Sequence, residues 1–406
     1  MKRHLTTLSG LIGLGSAFAL AALVPSFASC ATTEEGALEG PEGSTVPAVD
    51  ASAEAAIDAG TDASCDPTDP SCVTQSVGCD QADWCPVAAP VPNFVALTAI
   101  WGSGPSDVWA VGSAGTVIHW NGTTWTATPT NRKETLRAVW GTGPSEIVTA
   151  SSTSVVLRTT GASGGAATWT LLPAVTNDGV TGAVFTMWGA GPGDLRLGTR
   201  AFYVTLPNGD QVTKNIVTRT TVDGGVGWST AEGTATVLGM WGASADDLWV
   251  VGDNSFYVSH QRGYTAHGVR AGADKPYAWT EVDSQSSVTL EGVWGSGAND
   301  VWAVGGVGAI RHASAASTQW EIVTSPTTQP LHRVWGSGAS DVWAVGDDAT
   351  ILHFDGKAWT SSVVSLPVGK KRPDLHGVWG SAKNDVWVVG DGIVLRFTGK
   401  KSGGSK

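Results

Sequence analysis

The chain has 406 residues with 53 Gly, 20 Trp and only 4 Tyr; 15% of it is charged and its net charge is −12. Abundant aromatics with little charge exclude a disordered chain, Gly without a three-residue period excludes collagen, and the composition is not that of a coiled coil. The net charge sits in residues 31–90, which carry twelve acids and no base, whereas residues 91–406 hold 24 acids and 22 bases with no basic stripe, so nucleic acid is not an expected partner.

Residues 1–29 have the layout of a secretory signal peptide: basic Lys2 and Arg3, an uncharged run from Leu5 to Ala28, then small residues. A retained membrane span is the competing reading, disfavoured by Pro25 and by the Gly and Ser in the run. The end, Phe27-Ala28-Ser29-Cys30, resembles a bacterial lipobox, although Leu is usual where Phe27 stands. The resemblance implies lipidation of Cys30; cleavage after Ala28 and plain secretion is the alternative. Residues 30–64 lack aromatics and bases and read as a disordered acidic tether. The expected location is the cell envelope, as an outer-membrane lipoprotein on its periplasmic or exposed side, touching the membrane through the lipid only.

Residues 65–90 hold the other four cysteines, Cys65, Cys72, Cys79 and Cys85. With Cys30 set aside their number is even, and they can form two disulfides in one of three connectivities. Their spacing is wider than that of zinc-binding pairs and no His is near, so a metal is not expected there.

Residues 91–400 are a seven-fold repeat. Trp-Gly recurs at Trp101, Trp140, Trp188, Trp241, Trp294, Trp335 and Trp379, at spacings of 39 to 53 residues, close to the period of propeller blades. In each copy an apolar strand ends at Trp-Gly and a polar turn leads to an alternating strand such as DVWAVG. A third strand follows, then an Asn-Gly or Asp-Gly turn and a fourth strand opening with Trp. The expected fold is all-β, a seven-bladed β-propeller of four-stranded antiparallel blades.

Fourth-strand tryptophans occur at Trp125, Trp169, Trp228, Trp279, Trp320 and Trp359, but the seventh copy ends at residues 401–406, a polar tail, without one. Trp84 has the right spacing before Trp101. The segment near it is therefore expected to supply the outer strand of the last blade, removing open sheet edges. A Cys79–Cys85 bond would lock this closure.

Three stretches resemble the Asp-box (BNR) repeat: Thr221 to Trp228 in full, and His119 to Trp125 and His353 to Trp359 in shortened form. The string VWAVGDDATILHFDGKAW is similar to repeats of photosystem II assembly-factor-like propellers. The tandem VWGSG-x-x-DVWAVG form resembles extracytoplasmic propeller lipoproteins of bacteria. These resemblances cover about residues 84–400 and imply the fold; the families span hydrolases, receptors and assembly factors, so they imply no single activity.

Each copy carries an acid six residues after the Trp of Trp-Gly: Asp107, Glu146, Asp194, Asp247, Asp300, Asp341 and Asp385. A ring of carboxylates for Ca²⁺ is one reading; a polar cap on the first hairpin, repeated because it is architectural, is the preferred one. His119, His312 and His353 share a register, with Arg158 and Phe397 near it elsewhere. They occupy blades one, five and six, which are not all mutually adjacent, and read as packing groups, not metal ligands. The Gly161-Ala-Ser163-Gly-Gly165 match to a nucleophile elbow lies in a loop of an all-β chain, without the strand and helix that motif needs.

No motif marks a catalytic residue, a metal or a cofactor. A sialidase-like glycoside hydrolase is the enzyme alternative, but no arginine triad or carboxylate pair is visible. Function is expected where blades differ, in blades two to four. There, long third-to-fourth-strand insertions are read in blades three and four. The fourth holds Tyr257, Arg262, Tyr264, His267, Arg270, Lys275 and Tyr277, residue types suited to recognition. Lys370, Lys371 and Arg372 read as a solvated turn on the opposite rim. The expected function is a non-catalytic, monomeric binding or scaffold module for an unknown protein or glycan ligand. An envelope or pilus assembly factor is the further alternative.

Overall fold

The computed structural model describes residues 64–399, except 164–165, 174, 178–179, 182, 192, 206–207, 223–224, 234, 255–262 and 273–274. The expected signal peptide, Cys30, nearly all of the tether, the C-terminal tail, Tyr257 and Arg262 lie outside these residues. So does part of the Gly161–Gly165 match.

Seven four-stranded antiparallel sheets follow one another, as the repeat predicts. Blade 1 shows the pattern, with strands Leu97–Gly104, Asp107–Gly112, Val117–Trp120 and Trp125–Ala127 in spatial order. The alternating apolar residues are buried on both faces: Leu97, Val108, Ala110 and Ile118 are all fully buried. First strands pack side by side around a central channel. First-to-second and third-to-fourth turns form the lower face; second-to-third turns and blade-to-blade connections form the upper face.

The Trp-Gly pair is an interlock between blades. A Cβ at Gly141 would lie 2.6 Å from the Trp101 ring, and the same holds for Gly295 against Trp241 at 2.7 Å and Gly336 against Trp294 at 2.6 Å. Each Trp ring covers the glycine of the next blade, where any side chain would displace it. Trp379 of blade 7 lies on Gly102 of blade 1 at 2.6 Å, so the cycle is complete.

A second cycle joins the outer strands. The second-strand Trp of one blade stands edge-on to the fourth-strand Trp of the next in Trp109–Trp169, Trp249–Trp320, Trp302–Trp359 and Trp387–Trp125. Centroid distances of 5.2–5.9 Å suit the edge-to-face preference of aromatic quadrupoles.

Blade 7 consists of Leu375–Ala382, Asp385–Gly390 and Ile393–Phe397, completed by Trp84–Pro86 from the other end of the chain. Trp84 pairs with Phe397 and Pro86 with Leu395. Cys79 is bonded to Cys85 within that strand, and Cys65 to Cys72 just before it. The segment also bonds to the blade 6–7 connection: Cys65 N–H donates to the Gly369 carbonyl, Val73 N–H to Lys370 and Arg372 N–H to Ser71. Lys371 meets Asp69 at 3.0 Å. The basic turn 370–372 is thus the backbone partner of residues 65–73, while the Lys371 and Arg372 side chains are exposed to solvent as expected; as a blade-to-blade connection it lies on the upper face, which corrects its placement on a rim opposite the blade 4 insertion.

The insertions of blades three and four differ from expectation in part. In blade 3 the second and third strands, Asp194–Thr205 and Gln211–Val222, are both lengthened, and only residues 223–224 separate the latter from Gly225–Glu232. In blade 4 the second strand is Asp247–Asp253 and the third is Gly263–Val269. The blade 3 insertion therefore joins second to third strands, on the upper face; blade 4 has such a connection over 254–262 and also the expected third-to-fourth one over 270–277, twice the length of 121–124 in blade 1.

Candidate functional site

The repeated acids are explained by the lower face. In blade 1, Asp107 accepts from Ser103 Oγ at 2.5 Å, from Trp109 Nε1 at 2.9 Å and from His119 Nε2 at 2.8 Å. His119 in turn packs on Trp109, with centroids 4.2 Å apart. Blade 5 repeats this with Ser296, Asp300, Trp302 and His312. In blade 6, Asp341 is held by Ser337 and His353. Burial would raise the Asp107 and Asp341 carboxyls, but these hydrogen bonds outweigh it and hold both below their ordinary value. The acid ties the first hairpin to the third strand, so both the acids and the histidines of that register belong to the scaffold. Blade 7 uses Arg396 against Asp385 at 2.9 Å; Arg396, not Phe397, sits opposite Trp387.

The blade-four residues singled out in the sequence separate into two groups. His267 lies on the third strand, bonded to Asp247 at 3.0 Å and stacked on Trp249 at 4.4 Å. It is the blade 4 equivalent of His119. Tyr264 is on the same strand, and burial, then the charge of Glu281, push its phenol up to about 12. Neither stands on a projecting loop. Arg270, Lys275 and Tyr277 do come together, in a groove between blades 3 and 4 that Trp279 also lines.

That groove exists because the outer tryptophan cycle is broken. Blade 3 has Arg196 where five other blades have the second-strand Trp and blade 2 has Val148. The fully buried Arg196 pairs with Asp194 at 2.8 Å and lies over the Tyr277 ring of blade 4 at 5.4 Å. Arg270 covers the same ring at 5.0 Å while bonded to Asp246. Tyr277 is thus clasped by two guanidiniums.

The upper face holds a site that the sequence reading passed over. In the first strands the residue three before Trp is Thr98, Arg137, Phe185, Leu238, Glu291, His332 and His376 from blade 1 to blade 7. The residue just before it is always Leu or Val, fully buried. Seven different environments are therefore presented at one register of an otherwise uniform frame, and all seven residues line the channel mouth, a cavity of about 560 Å³. The signal was visible as variation inside the most regular strand, whereas loop length drew attention elsewhere.

The mouth is chemically polarised. His332 bridges two acids, through Nδ1 to Glu291 at 2.8 Å and through Nε2 to Asp347 at 2.6 Å. Burial opposes its charge, but the bonds and charges of Glu291 and Asp347 prevail and raise it to about 9. His376 lies beside it, centroids 5.5 Å apart, bonded to Asp391. On the other side Arg137 covers the Phe185 ring at 5.9 Å. Elsewhere on the upper face, Phe94, Tyr203, Val307 and Val368 are 87%, 51%, 64% and 56% exposed, four of the seven exposed large hydrophobics among the described residues. Val307 also has φ 53°, a left-handed conformation costly for a β-branched side chain.

No family model and no curated protein matches the chain. Solved structures do. A structure described as YCF48 bound to D1 peptide aligns with a TM-score of 0.56 at 15% identity, covering 80% of this chain and 99% of that one. YCF48 from Cyanidioschyzon merolae aligns at 0.56 and 17%, covering 78% and 99%. The WD40 β-propeller domain of Doa1 aligns at 0.53 and 10%, covering 80% and 96%. At these identities the similarity carries the fold, and that fold is a seven-bladed β-propeller.

Proposed function

We propose that the chain is a non-catalytic binding module of the cell envelope, held to the membrane by a lipid on Cys30, whose upper face takes a segment of a protein partner at the channel mouth. The observation that carries this reading is the ring from Thr98 to His376. The repeated packing does not require its variation, because the neighbouring Leu or Val and the Trp-Gly interlock recur whatever residue stands there. Exposed apolar residues on the same face as a polar centre are the composition of an interaction surface. A propeller of similar fold has been solved with a peptide bound.

The test is site-specific photo-crosslinking of the full chain in its envelope. Probes at Val307 and Val368 on the upper face should give one discrete protein adduct, lost in E291A and H332A variants. A probe at Lys357 on the lower face should give none. Identical adducts from both faces would sink the reading. Cys30→Ser should release the chain from membranes; retention would remove the lipid anchor from it.

A glycan ligand is the second reading, favoured by the groove of Tyr277, Trp279, Arg270 and Lys275, where aromatic faces and polar donors lie together. Glycan-array binding that depends on Trp279 and Tyr277 would transfer the function to that groove.

A further inference from the structure

Below the mouth the channel narrows to a cavity of about 170 Å³, and its wall carries a feature that neither the fold nor the mouth explains. Two residues before Trp, the first strands place Ala99, Ala138, Thr186, Gly239, Gly292 and Gly377, all small, and in blade 6 Arg333. Arg137, from the register above, lines the same cavity.

Arg333 Nη1 donates to the carbonyls of Glu291 at 3.2 Å and His332 at 2.8 Å. Arg137 lies over the Phe185 ring, its one short-range partner among the described residues. Among the described residues neither guanidinium forms an ion pair. Burial lowers the Arg333 pKa, Glu291 raises it and Arg137 lowers it, so the two cations act on each other. Arg333 is held by backbone carbonyls alone and the exposed Arg137 side chain reaches the same cavity, so an anion that enters can be met by both guanidiniums. The nearby acids are already engaged: Glu291 and Asp347 share the protonated His332. Two guanidiniums against the single negative charge left on that trio give about one net positive charge, which suits a monoanion.

We infer that Arg137 and Arg333 form a carboxylate-binding site in the central channel, with Phe185 and Met240 contacting the apolar group that bears the carboxylate. The planar guanidinium fork matches a planar carboxylate. The inference rests on the upper face being a binding face and deepens that reading: the bound segment presents a carboxylate to the channel, from a chain terminus or from an acidic side chain.

The experiment titrates the full chain with N-acetylphenylalanine, its amide, and N-acetyl-aspartyl-phenylalaninamide, read by the fluorescence of Trp101 and Trp140 in the cavity wall. At least one acid should bind ten-fold or more tighter than the amide, and R137Q and R333M should each remove that preference. Preference for the first acid identifies a chain terminus, and for the second a side chain. Equal binding of acid and amide, or a preference that survives both substitutions, overturns the site. Displacement by inorganic phosphate at equal concentration overturns its assignment to carboxylate. Should R333M fail to fold, R137Q and the wild-type acid–amide comparison decide. Failure here with upper-face crosslinks intact rejects only the carboxylate; loss of the crosslinks with acid binding intact rejects only the protein partner.

Discussion

The Trp84 ring stands edge-on to that of Trp343, with centroids 5.1 Å apart at 86°. Trp84 belongs to the strand that completes blade 7, and Trp343 to the second strand of blade 6. This is the same contact that Trp109 makes with Trp169 and Trp249 with Trp320. A residue from the start of the described chain therefore occupies a standard position in the outer tryptophan cycle, and ring closure is a side-chain interlock as well as a strand pairing.

Trp84→Ala should destabilise the whole domain. The ring is fully buried between Trp343 and Phe397, and losing a buried Trp costs about 3–5 kcal/mol. Denaturant unfolding should show one transition displaced to lower concentration. An unchanged midpoint would mean that the ring is closed by other contacts.

The two disulfides should differ in effect although their loops are alike. Cys65–Cys72 and Cys79–Cys85 span 7 and 6 residues, so chain entropy assigns each about 2 kcal/mol. Only Cys85 lies in a blade. Hydrogen exchange should rise in Ile393–Phe397 when Cys79 and Cys85 are replaced by Ser. Replacing Cys65 and Cys72 should loosen only residues 64–73 and the connection they pair with. The same exchange pattern in both variants would contradict this.

Much of this architecture is readable in the sequence because it is repeated: seven Trp-Gly pairs, seven acids and a missing fourth strand define the ring and its closure. What could not be read is which Trp touches which. Trp101 covers a glycine 40 residues later, and that contact depends on the rotation between blades. His267 was misplaced because the insertion before Gly263 shifts it out of the register shared by His119 and His353. The mouth ring was missed because each of its residues is ordinary in isolation; only their convergence on one channel gives them meaning.

Gly295→Ala tests the inner interlock. A Cβ there would lie 2.7 Å from both the Asp300 carbonyl and the Trp241 ring, an overpacking worth about 1–3 kcal/mol. Gly297→Ala, with nothing within 4 Å, is the control. The first variant should melt well below the second; equal melting would show that the Trp ring can move aside.

Acid should weaken the lower-face clusters and alkali the mouth. Asp107 and Asp341 have lowered pKa values in the fold, so their stabilisation is present above the ordinary value of 3.8 and is lost as pH falls through the folded values. His332 is raised from 6.5 to about 9, so its stabilisation is full below 6.5 and is lost as pH rises towards 9. Its size is on the order of 2 kcal/mol, less than the shift alone implies because water screens the part-exposed ring. Thermal melts from pH 6 to 10 should fall for the wild type and flatten for H332Q. Parallel curves would show that the bridge to Glu291 and Asp347 contributes nothing.

Val307→Asn separates stability from binding on the upper face. At the equivalent turn positions blade 1 places Ala114 and blade 6 Asp348, both also at positive φ. Among the described residues Val307 alone is β-branched at positive φ, and it is 64% exposed. A left-handed conformation costs an ordinary residue about 1–2 kcal/mol, and Asn relieves most of it through its own backbone hydrogen bond. The variant should therefore melt higher than the wild type, while the upper-face adduct seen with the probe at Val368 becomes weaker. A higher melting temperature with the adduct unchanged would assign Val307 to neither packing nor recognition. A lower melting temperature would mean that the Val307 side chain packs more than its exposure shows. The two readouts moving in opposite directions is the result expected of a strained residue kept for its contact with a partner.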